Sequence, residues 1–94
     1  APCQLIYERA FLCALPRKMW QGWARRVAEL LPDGALLAGF FFVCDQAKGP
    51  PFGILPEQLD ALLTPGFERI EDRPVVDSIP VFAGRERWQV WRRR

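Results

Sequence analysis

Residues 35–43, Ala-Leu-Leu-Ala-Gly-Phe-Phe-Phe-Val, are apolar without a break, and Cys44 extends the run. This is about half of the ~20 residues that a helix needs to cross a bilayer. A strand with one wet face alternates polar with apolar, whereas a strand buried on both faces does not. The run therefore predicts a central strand, parallel to its neighbour, with protein packed on both sides. Gly39, in its middle, marks a place where another part of the chain packs close to the backbone.

The flanking segments supply what such a strand needs. Leu5-Ile6-Tyr7 reads as a short strand that starts as early as Cys3, and a short turn follows through Leu15. Pro16 suits the opening of a helix. Met19, Trp20, Trp23, Ala24, Val27, Ala28, Leu30 and Leu31 then recur at helical spacing and predict one buried stripe. Leu-Pro-Asp-Gly at 31–34 stops that helix. After the apolar run, Asp45 to Pro56 is a Gly- and Pro-rich loop of fixed shape. A second helix covers Glu57 to Leu63, with Leu59, Leu62 and Leu63 inward. Phe67 to Arg73 reads as a strand anchored by Phe67 and Ile70. Pro74 to Gly84 is a loop with an extended piece at Val81-Phe82. Arg87 to Trp91 is the last strand, and Arg92-Arg93-Arg94 a solvated tail. The order strand, helix, strand, helix, strand, strand predicts an α/β sheet with two parallel strands, an antiparallel pair and two main helices.

The residue inventory removes several chemistries. There is no His among the 94 residues. Ser-His-Asp and Cys-His nucleophiles are excluded, as is any His-ligated metal. Cys3, Cys13 and Cys44 are odd in number and nowhere spaced as CxxC. That points away from zinc and from a disulfide framework, and toward a reducing cytoplasm. No metal site and no catalytic nucleophile or base is expected. Thirteen basic and eleven acidic residues leave a net charge of +2, which calls for neither a nucleic acid nor a membrane partner. No basic-then-apolar signal segment opens the chain. Residue 1 is Ala, as in a processed, trimmed or partial chain.

In open parallel sheets, ligands sit at the carboxyl ends of the strands. Two segments leave such ends here: Tyr7-Glu8-Arg9 after the first strand, and residues 45–53 after the second. Adjacent parallel strands would set them side by side.

Residues 5–15, Leu-Ile-Tyr-Glu-Arg-Ala-Phe-Leu-Cys-Ala-Leu, resemble the segment after the fourth strand of the thiopurine, thiol and halide methyltransferases. These are class I enzymes that use S-adenosylmethionine. The resemblance continues through Leu31-Pro32-Asp33-Gly34-Ala35-Leu36, Gly49-Pro50-Pro51-Phe52 and Gly84-Arg85-Glu86-Arg87-Trp88, and so covers nearly the whole chain. It implies the C-terminal part of a class I, Rossmann-like sheet. The strands would be the family's fourth to seventh, the seventh antiparallel and inserted between the fifth and sixth. The Gly-rich loop and ribose-binding acid that the family places on its first three strands have no counterpart here. Residues 1–94 are thus expected to form a single partial domain without the cofactor-binding N-terminal half.

The resemblance also implies site residues. Arg9 matches an Arg near both donor and acceptor, so Tyr7, Glu8 and Arg9 are expected on the cofactor side. Arg9, Phe41, Pro51 and Phe52 are expected on the acceptor side. Glu8 replaces the usual Asp, and Phe41 stands where the halide branch has a Tyr. S-adenosylmethionine is expected to serve the parent domain and not to bind this chain tightly. The partners implied are a small methyl acceptor, and either the missing half or a second copy along the edge of the first strand.

Plainer readings stand beside these. Glu8 and Arg9 are also what a surface ion pair looks like. Phe40, Phe41 and Phe42 suit a core, and Pro50-Pro51 a stiff loop. One alternative function is a non-enzymatic association module using the first strand's edge. Another is single-stranded nucleic-acid binding by Arg85, Arg87, Arg92, Arg93 and Arg94 around Trp88 and Trp91.

Overall fold

The computed structural model describes residues 4–9, 11–46, 48–75 and 84–94. The proposed strand start at Cys3 and the extended piece at Val81-Phe82 lie outside them. Four strands, β1 (Leu5–Arg9), β2 (Leu36–Phe42), β3 (Phe67–Pro74) and β4 (Glu86–Arg93), form one sheet in the order β1-β2-β4-β3. β1 runs parallel to β2, and β4 runs antiparallel to both β2 and β3. The last strand in sequence thus sits inside the sheet, where the resemblance implied it.

The apolar run is indeed the centre. Leu37 and Phe41 are almost fully buried on one face of β2, and Ala38 and Phe42 are buried on the other. Gly39 explains itself: it pairs with Glu8 of β1. A Cβ there would overlap the Glu8 carbonyl oxygen and come within 2.8 Å of the Glu8 carbonyl carbon and Cβ. Any side chain at 39 would push β1 away.

Helices α1 (Trp20–Leu30) and α2 (Pro56–Leu63) both cover the face that carries Leu37, Phe41, Phe67 and Trp91. Trp20, Ala24 and Val27 of α1, together with Leu31, join Leu59, Leu62 and Leu63 of α2 in that core. α2 starts at Pro56 as expected, and the Gln58 side chain accepts a hydrogen bond from the Leu55 amide (2.8 Å).

Four expectations are corrected. First, β1 extends through Arg9, because all five of its residues pair with 36–40; Tyr7, Glu8 and Arg9 are strand residues rather than a following segment. Second, the buried stripe of α1 is narrower than its apolar sequence. Residues Arg17–Met19 form a 3-10 turn, and Met19 and Leu30 are about half exposed. β1 is the outermost strand, so the sheet ends before it reaches that flank of the helix. Third, Ile70 is exposed. The β3–β4 register slips between Arg69 and Glu71, and this bulge leaves Ile70 without a partner on β4.

Fourth, the C-terminal arginines are not a solvated tail. β4 continues through Arg93, and Arg92 pairs with Glu68 in an ion pair. The Arg93 side chain donates to the carbonyls of Ala28 (2.8 Å) and Gly66 (3.1 Å). Arg94 donates to Thr64 O (2.8 Å). A helix leaves its last carbonyls unbonded and partly negative, and a guanidinium satisfies both demands. The end of the chain therefore ties the C-terminal ends of α1 and α2 to the sheet.

Two stability effects are expected in urea unfolding monitored by circular dichroism. Gly39→Ala destabilises by about 3 kcal/mol through overpacking against Glu8. Arg93→Ala costs about 2 kcal/mol, since charge-assisted bonds to two carbonyls are lost, and Arg93→Lys recovers less than half.

Candidate functional site

The parallel pairing of β1 with β2 places their following segments together. Phe52 N donates to Cys13 O (2.6 Å), so the 43–55 loop lies directly against the turn at 11–15. The loop is held at several points. Gln46 Nε2 donates to Pro51 O (2.8 Å), and Arg85 donates to Gln46 Oε1 (3.1 Å). Gly53 N donates to Gln46 O (2.8 Å), and Arg17 donates to Gly53 O (3.0 Å). Gly53 is required by contact: a Cβ there would lie 2.5 Å from Cys44 Sγ and 2.9 Å from Gln46 N.

Glu8 points toward the helices and is buried. Its Oε1 accepts the Leu12 amide (2.5 Å), which fixes the first turn after β1. Burial raises the Glu8 pKa above the ordinary carboxylate value, and the amides of Leu12 and Phe11 offset this only in part. Cys13 is pushed up to about 11, first by burial and then by the charge of Glu8. It stays a thiol at neutral pH and is no nucleophile.

Glu8, Cys13, Phe41 and Phe52 line a cavity of about 10 Å³. That space holds one water at most. Phe41 is 1% exposed and backs this cavity from the core. Pro51 and Phe52 are half-buried on the loop side.

Tyr7 and Arg9 alternate with Glu8 and turn to the opposite face. There the Arg9 guanidinium lies 4.4 Å from the centre of the Phe40 ring. Tyr7 meets Phe40 edge-on with centroids 6.3 Å apart, and Trp88 meets it on the other side at 5.1 Å. All three candidate cofactor residues, Tyr7, Glu8 and Arg9, border an open groove of about 800 Å³ beside β1, with the outer flank of α1 as its other wall.

The predicted residues thus fall into two groups at one end of the sheet. Glu8, Phe41 and Phe52 share the small interior cavity. Tyr7 and Arg9 stand outside it, against the ring of Phe40, which also lines the cavity. Three contributors were missed. Phe40 and Trp88 follow from strand parity once Arg9 is placed opposite Phe40, but an unbroken apolar run hides parity. Gln46 carries no signal beyond being a polar residue in a Gly- and Pro-rich loop.

The arginines proposed for nucleic acid are engaged within the chain. Arg87 pairs with Asp72 (2.7 Å) and Arg92 with Glu68, while Arg93 and Arg94 bond backbone carbonyls. They do not form a free basic patch.

Comparison with known proteins gives a consistent result. The family model described as thiopurine S-methyltransferase matches residues 1–94. Thiocyanate methyltransferase 1 of Arabidopsis thaliana is 31% identical over 91 residues, covering 95% of this chain and 40% of that protein. Thiopurine S-methyltransferase of Shewanella sp. (strain W3-18-1) is 39% identical over 65 residues, covering 67% of this chain and 30% of that protein. The chain therefore spans less than half the length of these relatives. Among solved structures, the Burkholderia thailandensis 1,6-didemethyltoxoflavin-N1-methyltransferase, with bound 1,6-didemethyltoxoflavin and S-adenosylhomocysteine, superposes with a TM-score of 0.76 at 15% identity. The match covers 99% of this chain and 44% of that one, and it shows the shared fold.

The buried carboxyl makes a pH-dependent prediction. Well below pH 4.5, the ordinary value, Glu8 is protonated folded or unfolded, and Glu8→Gln changes stability little. As pH climbs from there through the raised folded value, the unfolded chain loses its proton first, so wild-type stability falls. Glu8→Gln removes that fall and is the more stable protein at pH 7, as read from urea midpoints against pH.

Proposed function

The chain belongs to the thiopurine S-methyltransferase family, and from that premise we propose that it is the C-terminal, acceptor-side part of an S-adenosylmethionine-dependent methyltransferase domain. Its acceptor is a thiol or another small soft nucleophile. One observation carries this reading: the entire chain matches the family while covering 40% of the Arabidopsis relative. The names of the relatives place the methyl group on thiocyanate or on thiopurine sulfur, which supports a sulfur acceptor. The structural neighbour's S-adenosylhomocysteine supports that donor. Cysteine usage favours the cytoplasm.

The residues described do not by themselves build a seat for the donor. Glu8 is bonded to Leu12, the cavity beside it is water-sized, and the groove along Tyr7 and Arg9 is open. A further N-terminal segment supplies that seat, and this chain alone is inactive. Its own work is on the acceptor. Arg9, permanently charged and held against Phe40, attracts an anionic acceptor. Pro51 and Phe52, backed by Phe41, give it a dry wall. A soft sulfur nucleophile needs little help from a base, so a site without His is adequate. Holding the acceptor in line can supply roughly 7–11 kcal/mol of the barrier.

The association reading keeps one observation in its favour, the outermost position of β1 with Leu5 and Tyr7 exposed. A strictly monomeric chain in sedimentation would count against it.

Calorimetry with S-adenosylhomocysteine tests the main reading. The chain alone gives no binding heat. Mixed with the part of the Arabidopsis relative that it does not cover, it does. In that assembly Arg9→Ala lowers kcat/KM for an anionic acceptor by about 10–100-fold. Tight binding by the isolated chain would overturn the proposal.

A further inference from the structure

The face of the sheet turned away from the helices carries a chain of contacts that crosses all four strands. It starts at the bulge in β3. Phe67 and Arg69 face the helices: Phe67 lies in the core, and Arg69 pairs with Asp60 of α2 (2.9 Å). Strict alternation would return Glu71 to that same face. The register slip prevents it. Arg69 stands opposite Trp91, a core residue, while Glu71 stands opposite Val90, whose side chain points the other way. Bulges re-aim side chains in this manner. Glu71 then accepts the indole N–H of Trp88 on β4 and pairs with Arg73 (2.9 Å).

Trp88 passes the constraint on. It stands opposite Phe40 of β2, with ring centres 5.1 Å apart and planes at 59°. Tyr7 of β1 meets the Phe40 ring edge-on, with centroids 6.3 Å apart. A Phe on a strand has two common settings of its first side-chain torsion, and neighbours on both sides hold this one in a single setting. The Arg9 guanidinium lies against that ring, 4.4 Å from its centre. Among the described residues no carboxylate is within ion-pair distance of Arg9. The ring is therefore the contact that directs its head.

We propose that Glu71 and Trp88 are positioning residues for Arg9. The bulge aims Glu71 at Trp88, Trp88 fixes the Phe40 ring, and the ring sets where the guanidinium meets an anionic acceptor. The inference rests on the reading that Arg9 faces the acceptor. It adds two residues, on β4 and β3, that act on Arg9 from across the sheet. Ordinary cross-strand packing would also stack Phe40 on Trp88, but it needs neither the bulge nor a carboxylate bonded to the indole.

The test reads the 94-residue chain by proton NMR. Protons over the face of an aromatic ring resonate upfield, so the Arg9 δ-methylene protons report where the guanidinium lies over Phe40. Phe40→Leu removes the ring and defines the unshifted position. Glu71→Leu cannot accept the indole N–H and brings no ring of its own; most of the upfield shift is lost. Trp88→Phe removes the same bond from its other end and loses the shift likewise. Glu71→Gln keeps an acceptor oxygen without the charge and retains the shift, which separates the indole bond from the Arg73 ion pair. Unchanged amide resonances of Leu37 and Phe67, both in the core, show that each variant is folded. An Arg9 shift that persists in folded Glu71→Leu or Trp88→Phe, or that Glu71→Gln loses as fully as Glu71→Leu, would overturn the proposal. Neither methyl donor nor acceptor is present, so this result and the calorimetric one can fail separately.

Discussion

The parallel contact of β1 with β2 is the interaction on which the rest depends. It is close because Gly39 has no side chain to meet the Glu8 backbone. From this register follow the burial of Glu8 on the helix side, the projection of Tyr7 and Arg9 to the other side, and the meeting of Phe52 with Cys13. Widen that contact by one methyl group and the two halves of the candidate site lose their common frame.

The sheet is finished unevenly. On the β4 side it is locked: β3 closes it, and Arg93 and Arg94 join its end to both helices. On the β1 side it is open. An edge strand, an overhanging helix flank and an exposed aromatic residue at Phe11 meet there. The same side holds the residues that the family resemblance links to the methyl donor. In the proposed reading, an incomplete seat for the donor and an uncovered apolar flank are two consequences of one open boundary. Burial supports this view energetically, since an apolar surface of this kind gains about 25 cal/mol for each Å² removed from water.

Much of the fold was legible in the sequence because its signals were local. The unbroken run at 35–43 marked the central strand, Pro16 and Leu31-Pro32-Asp33-Gly34 bracketed the first helix, and Pro56 opened the second. The insertion of β4 between β2 and β3 was read from the family resemblance; local pattern alone gave only an antiparallel pair. What the sequence hid depends on long-range geometry. Periodicity placed Met19 and Leu30 on the inner stripe of α1, but only the position of the sheet edge leaves them uncovered. Ile70 looked like an anchor until the bulge unpaired it. Arg93 looked like solvated charge because nothing local shows that Ala28 and Gly66 lie within its reach. At the candidate site, the division of the motif residues between two faces needed the true end of β1 at Arg9.

The central claim is that β1 is an interior strand of a larger sheet. Amide hydrogen exchange along residues 5–9 tests it most directly, comparing the chain alone with the chain mixed with the N-terminal part of the Arabidopsis relative. The account predicts fast exchange at the outward-facing amides of β1 in the chain alone, and strong protection once that segment is added. Slow exchange along β1 in a monomeric chain, or assembly that leaves these amides unprotected, would contradict it.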